Sequence, residues 1–600
     1  MKRAVKPRRT PFFRPPGRVG LLLALAAAAG CATYAARPSD LTLDEKIGQL
    51  FVYAARGVFL NEQSPDYREL LRQVRENRVG GILWYQTENV YETAWLNDRL
   101  QAAARVPLLV SADLETGLGM RFADTTDWPW PMAIAATGDP SLAEREGRIV
   151  GEEARAVGIS QVYAPVADVN SDPENPTINV RSYGEDPEDA ARFVAAFVRG
   201  VQGAGVVATA KHFPGHGDTH TDSHRSLPVL AASPDDIERR DLPPFRAAIA
   251  AGVRAIMTAH LAVPSLDASP APARPEGVRE NPYTQDAGDV ARDATVPATL
   301  SPAITTALLR KRLGFSGLVV TDAMDMGALV DHFDPGEAAV RAILAGADQI
   351  PKTPDVDRAI AAVRQAVASG RISRDRVDES VRRILEVKRF AGAPRTEPSG
   401  IFRIVDRPEH RAFAEELARR SLTLVREEPG VLPLRAGGRF IQVNVTVGPE
   451  RIGGDFAREL RGRASEPPRS LALDNRSAPA DVEPILEAAR GADAVLVALF
   501  VRVSTGRGTI AIPAVARDAI ERLAASGARV VAISFGSPYV LSDLPGVRTA
   551  LAAYGSQADG QVAAARALFG EAAITGRLPV TIPGIAPRGT GIQKPAGKAS

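Results

Sequence analysis

Between residues 40 and 392 the chain alternates short apolar runs with longer stretches patterned for amphipathic helices. The runs occupy 81–85, 107–113, 162–168, 206–211, 255–260, 318–322 and 347–350. Apolar strands of this kind, separated by helices, predict a parallel sheet covered on both faces. Thr42-Leu-Asp-Glu45 reads as a capping box that opens the first helix. Five of the runs end in a reactive side chain: Asp113, Asp168, Lys211, His260 and Asp322. In a doubly wound sheet such ends would spread along an edge. In a (β/α)8 barrel they ring one mouth. Five in one segment predict a convergent site, and hence a TIM-type barrel over 40–392.

A second pattern follows. Residues 393–420 read as a linker, and 421–587 as an α/β sandwich domain with strands at 440–445, 494–500, 529–535 and 549–554. The glycine-rich Thr505-Gly-Arg-Gly-Thr509 lacks the Gly-Lys-Ser/Thr of a phosphate loop. Residues 269–298, rich in Pro, Ala, Glu, Asp and Arg and without a period, read as an insertion loop inside the barrel. Residues 588–600 read as a disordered tail.

Composition is that of a globular protein, 45% hydrophobic and 24% charged over 600 residues. The net charge of +2 is uneven, because the first thirty residues hold seven basic side chains and no acidic one. The remainder therefore carries five net negative charges, which argues against a nucleic-acid-binding surface. The basic start precedes the apolar stretch 21–30 and then Cys31, the only cysteine. That stretch is too short to span a bilayer. Residues 1–39 read as a signal peptide and linker. Cys31 after Ala29-Gly30 resembles the lipobox of bacterial lipoproteins, with Ala28 where leucine is usual. An ordinary cleaved signal or an uncleaved anchor is the alternative, and either form predicts export to the periplasm or cell surface.

Four of the seven histidines, His212, His216, His220 and His224, fall within thirteen residues. Their four-residue spacing would suit a zinc site on a helix. Pro214, Gly215 and Gly217 interrupt any helix there, so the stretch reads as a loop. Solvated surface histidines are a second reading. The third rests on Asp222-Ser-His224, where a carboxylate two residues before a histidine can orient the ring for proton transfer near neutrality.

Lys211-His-Phe-Pro-Gly-His-Gly217 followed by Asp222-Ser-His224 resembles glycoside hydrolase family 3, and within it the β-N-acetylglucosaminidase (NagZ-like) branch of two-domain lipoprotein type. Asp113-Leu-Glu-Thr-Gly-Leu-Gly-Met-Arg121, Arg181-Ser-Tyr-Gly-Glu-Asp-Pro187, Thr321-Asp-Ala-Met-Asp-Met326 and Gly576-Arg-Leu-Pro-Val-Thr-Ile-Pro583 are similar to further segments of that family. Thr116 and Leu118 depart from it, standing where a glycine and a polar or basic residue are usual.

The resemblance implies a retaining enzyme in which Asp322 is the nucleophile, His224 the acid/base and Asp222 its orienting partner. It implies that Asp113, Arg121, Arg181, Lys211 and His212 hold the sugar. The implied reaction is removal of terminal β-linked N-acetylglucosamine from peptidoglycan fragments or chitooligosaccharides, without metal or other cofactor. The implied protein is a monomer with no nucleic-acid partner, held to a membrane by a lipid on Cys31. The rivals are a family 3 β-glucosidase or β-xylosidase, a non-catalytic lipoprotein binding cell-wall sugars, and a zinc hydrolase. Water and phosphate both remain open as acceptor.

Overall fold

The computed structural model of the chain describes residues 37–272, 294–392, 396–503 and 510–597. Cys31, the export segment, most of the 269–298 insertion and Thr505-Gly-Arg-Gly-Thr509 lie outside the described residues. At the edges of the insertion, Ala271 N–H donates to the Ala294 carbonyl and Val296 N–H to that of Ser269.

Eight parallel strands form the first domain: β1 (Phe51–Gly57), β2 (Gly81–Thr87), β3 (Leu109–Ala112), β4 (Gln161–Val162), β5 (Val207–Phe213), β6 (Ala255–Thr258), β7 (Leu318–Thr321) and β8 (Ile350–Pro351). They neighbour one another in chain order, β8 pairs with β1, and a parallel bridge between Val320 and Gln349 closes the ring. The protein is an α/β barrel, as the strand ends predict. Thr42 caps the helix Leu43–Gln49 in a reciprocal box with Glu45.

The apolar runs omit β1. Only Leu50 separates that strand from the preceding helix. No turn residue marks the change, and Ala54-Ala55 favours helix locally. The strand exists because its backbone pairs with β2 and β8.

The second domain is a six-stranded sheet in the order β11-β10-β12-β13-β14-β9. Its strands are β9 (Thr423–Arg426), β10 (Phe440–Thr446), β11 (Arg469–Leu473), β12 (Ala494–Phe500), β13 (Val530–Ser534) and β14 (Thr549–Ala552). All neighbours run parallel except β9 against β14. Separate apolar clusters fill its two faces, which makes it an α/β sandwich. Met132, Ala133, Ala136 and Val180 of the barrel domain belong to one of those clusters. The two domains therefore share part of a core.

Two expectations are corrected. Residues 393–420 are no plain linker, because helices Pro398–Ile404 and Pro408–Ser421 occupy most of them. Phe413, Ala414 and Leu417 are buried in the barrel's apolar cluster. Residues 588–597 are no loose tail. Ile592 N–H donates to the Leu424 carbonyl, Ile574 and Lys594 exchange backbone hydrogen bonds, and Gly597 N–H donates to that of Gly570.

Candidate active site at the barrel mouth

The strand ends and the loops that follow them bring five charges into one chain of contacts. Arg121 Nη2 lies 2.7 Å from Asp113 Oδ2, and Lys211 Nζ lies 2.8 Å from Asp113 Oδ1. Lys211 Nζ is also 2.6 Å from Glu115 Oε1. Arg181 closes the chain bidentately, with Nε 2.8 Å from Glu115 Oε2 and Nη2 2.7 Å from Oε1. Lys211 and Glu115 are buried.

Burial alone would raise the carboxyl pKa values, but the neighbouring cations outweigh it. Lys211 and Arg121 hold Asp113 down at about 2, and Arg181 and Lys211 hold Glu115 far below the usual range. Burial works to lower Lys211, yet Asp113 and Glu115 raise it above the ordinary lysine value. Asp113, Glu115, Lys211 and Arg181 are ionised at neutral pH. The cluster is a fixed lattice of donors and acceptors, suited to sugar hydroxyls and an amide.

His212 follows Lys211 on β5. Its Nδ1 lies 2.7 Å from Asp168 Oδ2, and the buried Asp168 carboxylate also accepts from the backbone N–H groups of His212 and His216. That pairing leaves His212 Nε2 for other partners. His216 is buried with Nδ1 2.8 Å from Thr219 Oγ1. Burial pushes it down to about 4, so it is neutral. His220 is 75% exposed beside Asp172. The stretch is a loop, as its Pro and Gly residues require. Gly217 is obligatory there, since a Cβ would lie 1.7 Å from the Val169 carbonyl oxygen. Among the described residues no group of three or more His, Cys, Asp or Glu side chains could hold a metal ion.

Asp222 and His224 form a local pair. Asp222 Oδ1 is 2.8 Å from His224 Nδ1 and accepts the His224 backbone N–H at 2.9 Å. With Nδ1–H directed at the carboxylate, proton exchange at this ring runs through Nε2. The loop does not hang free. Gly327 N–H donates to the His224 carbonyl and Ala328 N–H to that of Ser223, both at 3.2 Å. These donors open the helix Gly327–Val330, which follows Asp322.

Asp322 stands at the end of β7. Its N–H donates to the Thr258 carbonyl, and its Oδ1 accepts from Ala323 N–H at 2.7 Å. Burial works to raise its pKa, but His212 and His260, the Ala323 N–H and His224 hold it below the ordinary value. His260 braces the same turn, with Nε2 2.9 Å from the Ala323 carbonyl and Nδ1 2.9 Å from Thr299 Oγ1. Burial lowers its pKa, so the ring is neutral and donates from Nε2.

All sequence-derived site residues within the described part of the chain therefore come from strand ends and the loops beyond them, at one end of the barrel. Reasoning from sequence missed Glu115, whose place two residues after Asp113 in the same motif was the available signal. It also missed Lys352, just beyond β8, whose Nζ lies 3.1 Å from Asp325 Oδ2 and 5.0 Å from the centre of the Tyr85 ring. No sequence motif marks that lysine.

A barrel with a carboxylate and an aspartate-paired histidine at its mouth, followed by an α/β sandwich, is the architecture of a two-domain glycosidase. Residues 42–387 match the glycosyl hydrolase family 3 N terminal domain, and residues 338–588 match the family's C-terminal domain. The chain belongs to glycosyl hydrolase family 3. It is 32% identical over 564 residues to a beta-N-acetylglucosaminidase/beta-glucosidase of Cellulomonas fimi, covering 90% of this chain and 94% of that protein. Among solved structures it is similar to a family 3 beta-N-acetylglucosaminidase from Paenibacillus sp. str. FPU-7. That match has a TM-score of 0.76 and 34% identity over 90% of this chain and 99% of the other. The beta-glucoside phosphorylase BglX matches with a TM-score of 0.78 and 26% identity, over 92% and 96% of the two chains.

Proposed function

We propose that the chain is a retaining exo-β-N-acetylglucosaminidase acting on peptidoglycan fragments or chitooligosaccharides. One observation carries the mechanism: the backbone of the Asp222-Ser-His224 loop is hydrogen-bonded to Gly327 and Ala328, just beyond Asp322. A rigid carboxylate and an oriented imidazole thus serve one mouth. The names of the Cellulomonas and Paenibacillus relatives support the N-acetylglucosaminide as substrate.

In the first half-reaction Asp322 attacks the anomeric carbon while His224 Nε2–H protonates the glycosidic oxygen. The glycosidic bond breaks, a sugar–Asp322 ester forms, and the leaving alcohol departs with the proton. Neutral His224 then takes a proton from water, whose oxygen attacks the same carbon and frees Asp322. Two displacements retain the configuration. Asp222 orients His224 through Nδ1, and the ionised Asp322 is ready to attack. Asp113, Arg121, Arg181, Lys211 and His212 hold the sugar, with Glu115 fixing two of these cations.

A chromogenic N-acetyl-β-glucosaminide, assayed beside the plain β-glucoside, tests the reading. Turnover of the glucoside alone would reverse the substrate, and parent-like turnover by Asp322→Ala would remove the nucleophile. BglX is named a phosphorylase, so product is followed with and without inorganic phosphate. A sugar phosphate as the main product would replace water as acceptor.

We also propose that the protein is exported as a monomer and anchored by a lipid on Cys31. Fatty-acid labelling that persists in Cys31→Ser would refute the anchor.

A further inference from the structure

The sugar-holding loop after β3 does not stand alone. Residues 113–121 fold back against a strap at 126–128. Trp128 N–H donates to the Thr116 carbonyl at 3.0 Å, and Gly119 N–H donates to that of Thr126 at 3.1 Å. Gly117, at φ +70°, faces the Trp128 ring so closely that a Cβ would lie 2.1 Å from Cδ1. One side-chain bond joins the two segments: Thr116 Oγ1 donates to Asp127 Oδ1 at 2.7 Å. Thr116 is buried and directly follows Glu115.

The strap's far side meets the chain beyond the barrel. Thr126 Oγ1 donates to Asp406 Oδ1 at 2.6 Å, and Trp128 packs edge-on against Phe413 at 5.6 Å. Just past the strap, Met132, Ala133 and Ala136 lie in the second domain's apolar cluster.

We propose that the chain beyond the barrel sets the sugar-holding loop through Asp406, the strap at 126–128 and Thr116, and that Thr116 is a positioning residue for substrate binding. Thr116 touches no reacting atom. It fixes the backbone that places Glu115, and through Glu115 the cations Arg181 and Lys211. A loop that holds the sugar equally in ground and transition states acts on KM and leaves kcat alone. The inference rests on the glycosidase reading.

The test uses the full-length enzyme and whichever β-glycoside it turns over. Thr116→Val keeps the shape and removes the hydroxyl, whereas Thr116→Ser keeps the donor. Loss of one such hydrogen bond is expected to raise KM about fivefold with kcat within about twofold. Serine is expected to restore the parent KM. Thr126→Val, which removes the bond to Asp406 at the far side of the strap, is expected to raise KM in the same direction, and combining it with Thr116→Val should give less than the product of the two effects. A KM unchanged in Thr116→Val would overturn the proposal, as would a serine variant no better than valine. So would a fall in kcat at constant KM. If Thr116→Val fails to fold, Thr126→Val decides alone, and an unchanged KM there overturns the proposal. Absence of turnover on every glycoside would instead reject the glycosidase reading.

Discussion

Glu115 and Lys211 form an ion pair of 2.6 Å in which neither side chain is more than 2% exposed. Each is held by a second partner, Arg181 for the glutamate and Asp113 for the lysine. Removing one member of a buried pair leaves the other uncompensated, at a cost of about 3–5 kcal/mol. Glu115→Ala should therefore melt far below the parent and lose activity through misplaced Lys211 and Arg181. Glu115→Gln should lose less stability, because an amide oxygen still accepts. Both Asp113 and Glu115 have folded pKa values below their unfolded ones. Their stabilisation is complete above the unfolded values near 4 and is lost as pH falls toward about 2, the folded value of Asp113. Denaturant titrations should show Glu115→Gln with a shallower acid slope in that window. An unchanged slope would mean that the pair does not couple folding to protonation.

His224→Ala tests proton transfer without disturbing the nucleophile. The variant should slow substrates with poor leaving groups by about 10²–10⁴-fold. Activated aryl glycosides, whose leaving oxygen needs no proton, should be affected far less in the first step. Asp222→Asn should act in the same direction and more weakly, since its bond to Nδ1 orients the ring. Equal slowing across a leaving-group series would remove His224 from the role.

The mouth was legible because its chemistry is written at strand ends. Asp113, Lys211 and Asp322 each follow an unbroken apolar run, and Asp222-Ser-His224 carries its pairing in adjacent residues. Features that depend on distant partners were not. Strand β1 owes its existence to β2 and β8. The edge strands β9 and β11 are four and five residues long, and β11 is largely exposed, so neither gives an apolar run. The helix Pro408–Ser421 read as linker because its buried Phe413, Ala414 and Leu417 are spaced among Arg and Glu. Only the barrel surface makes that stripe a core contact.

The end of the chain gives a prediction from the same lesson. Polar, glycine-rich residues 588–597 look loose in sequence, yet they pair with β9 and with Ile574, and Lys594 Nζ lies 2.8 Å from Glu427. Truncation after Pro587 should lower the melting temperature by several degrees, because each lost backbone bond inside the sheet edge contributes about 1 kcal/mol. Parent-like melting of the truncated protein would show that these contacts contribute nothing.

His216 supplies a second acid-sensitive element, separate from the carboxylates. The ring is buried and neutral, with a folded value of about 4 against 6.5 for the free side chain. Folding therefore excludes a proton that the unfolded chain binds. The contribution is whole above the unfolded value and is lost as pH falls from about 6.5 toward 4. Between pH 7 and pH 5 the loss from this residue alone should be about 2 kcal/mol. Replacing it with Asn, which cannot titrate and can still meet Thr219 Oγ1, should flatten stability over that interval even if the variant is less stable at pH 7. Denaturant midpoints of both proteins at the two pH values measure the difference. Parallel losses in parent and variant would place the acid sensitivity elsewhere, with His260 the next buried neutral imidazole to replace.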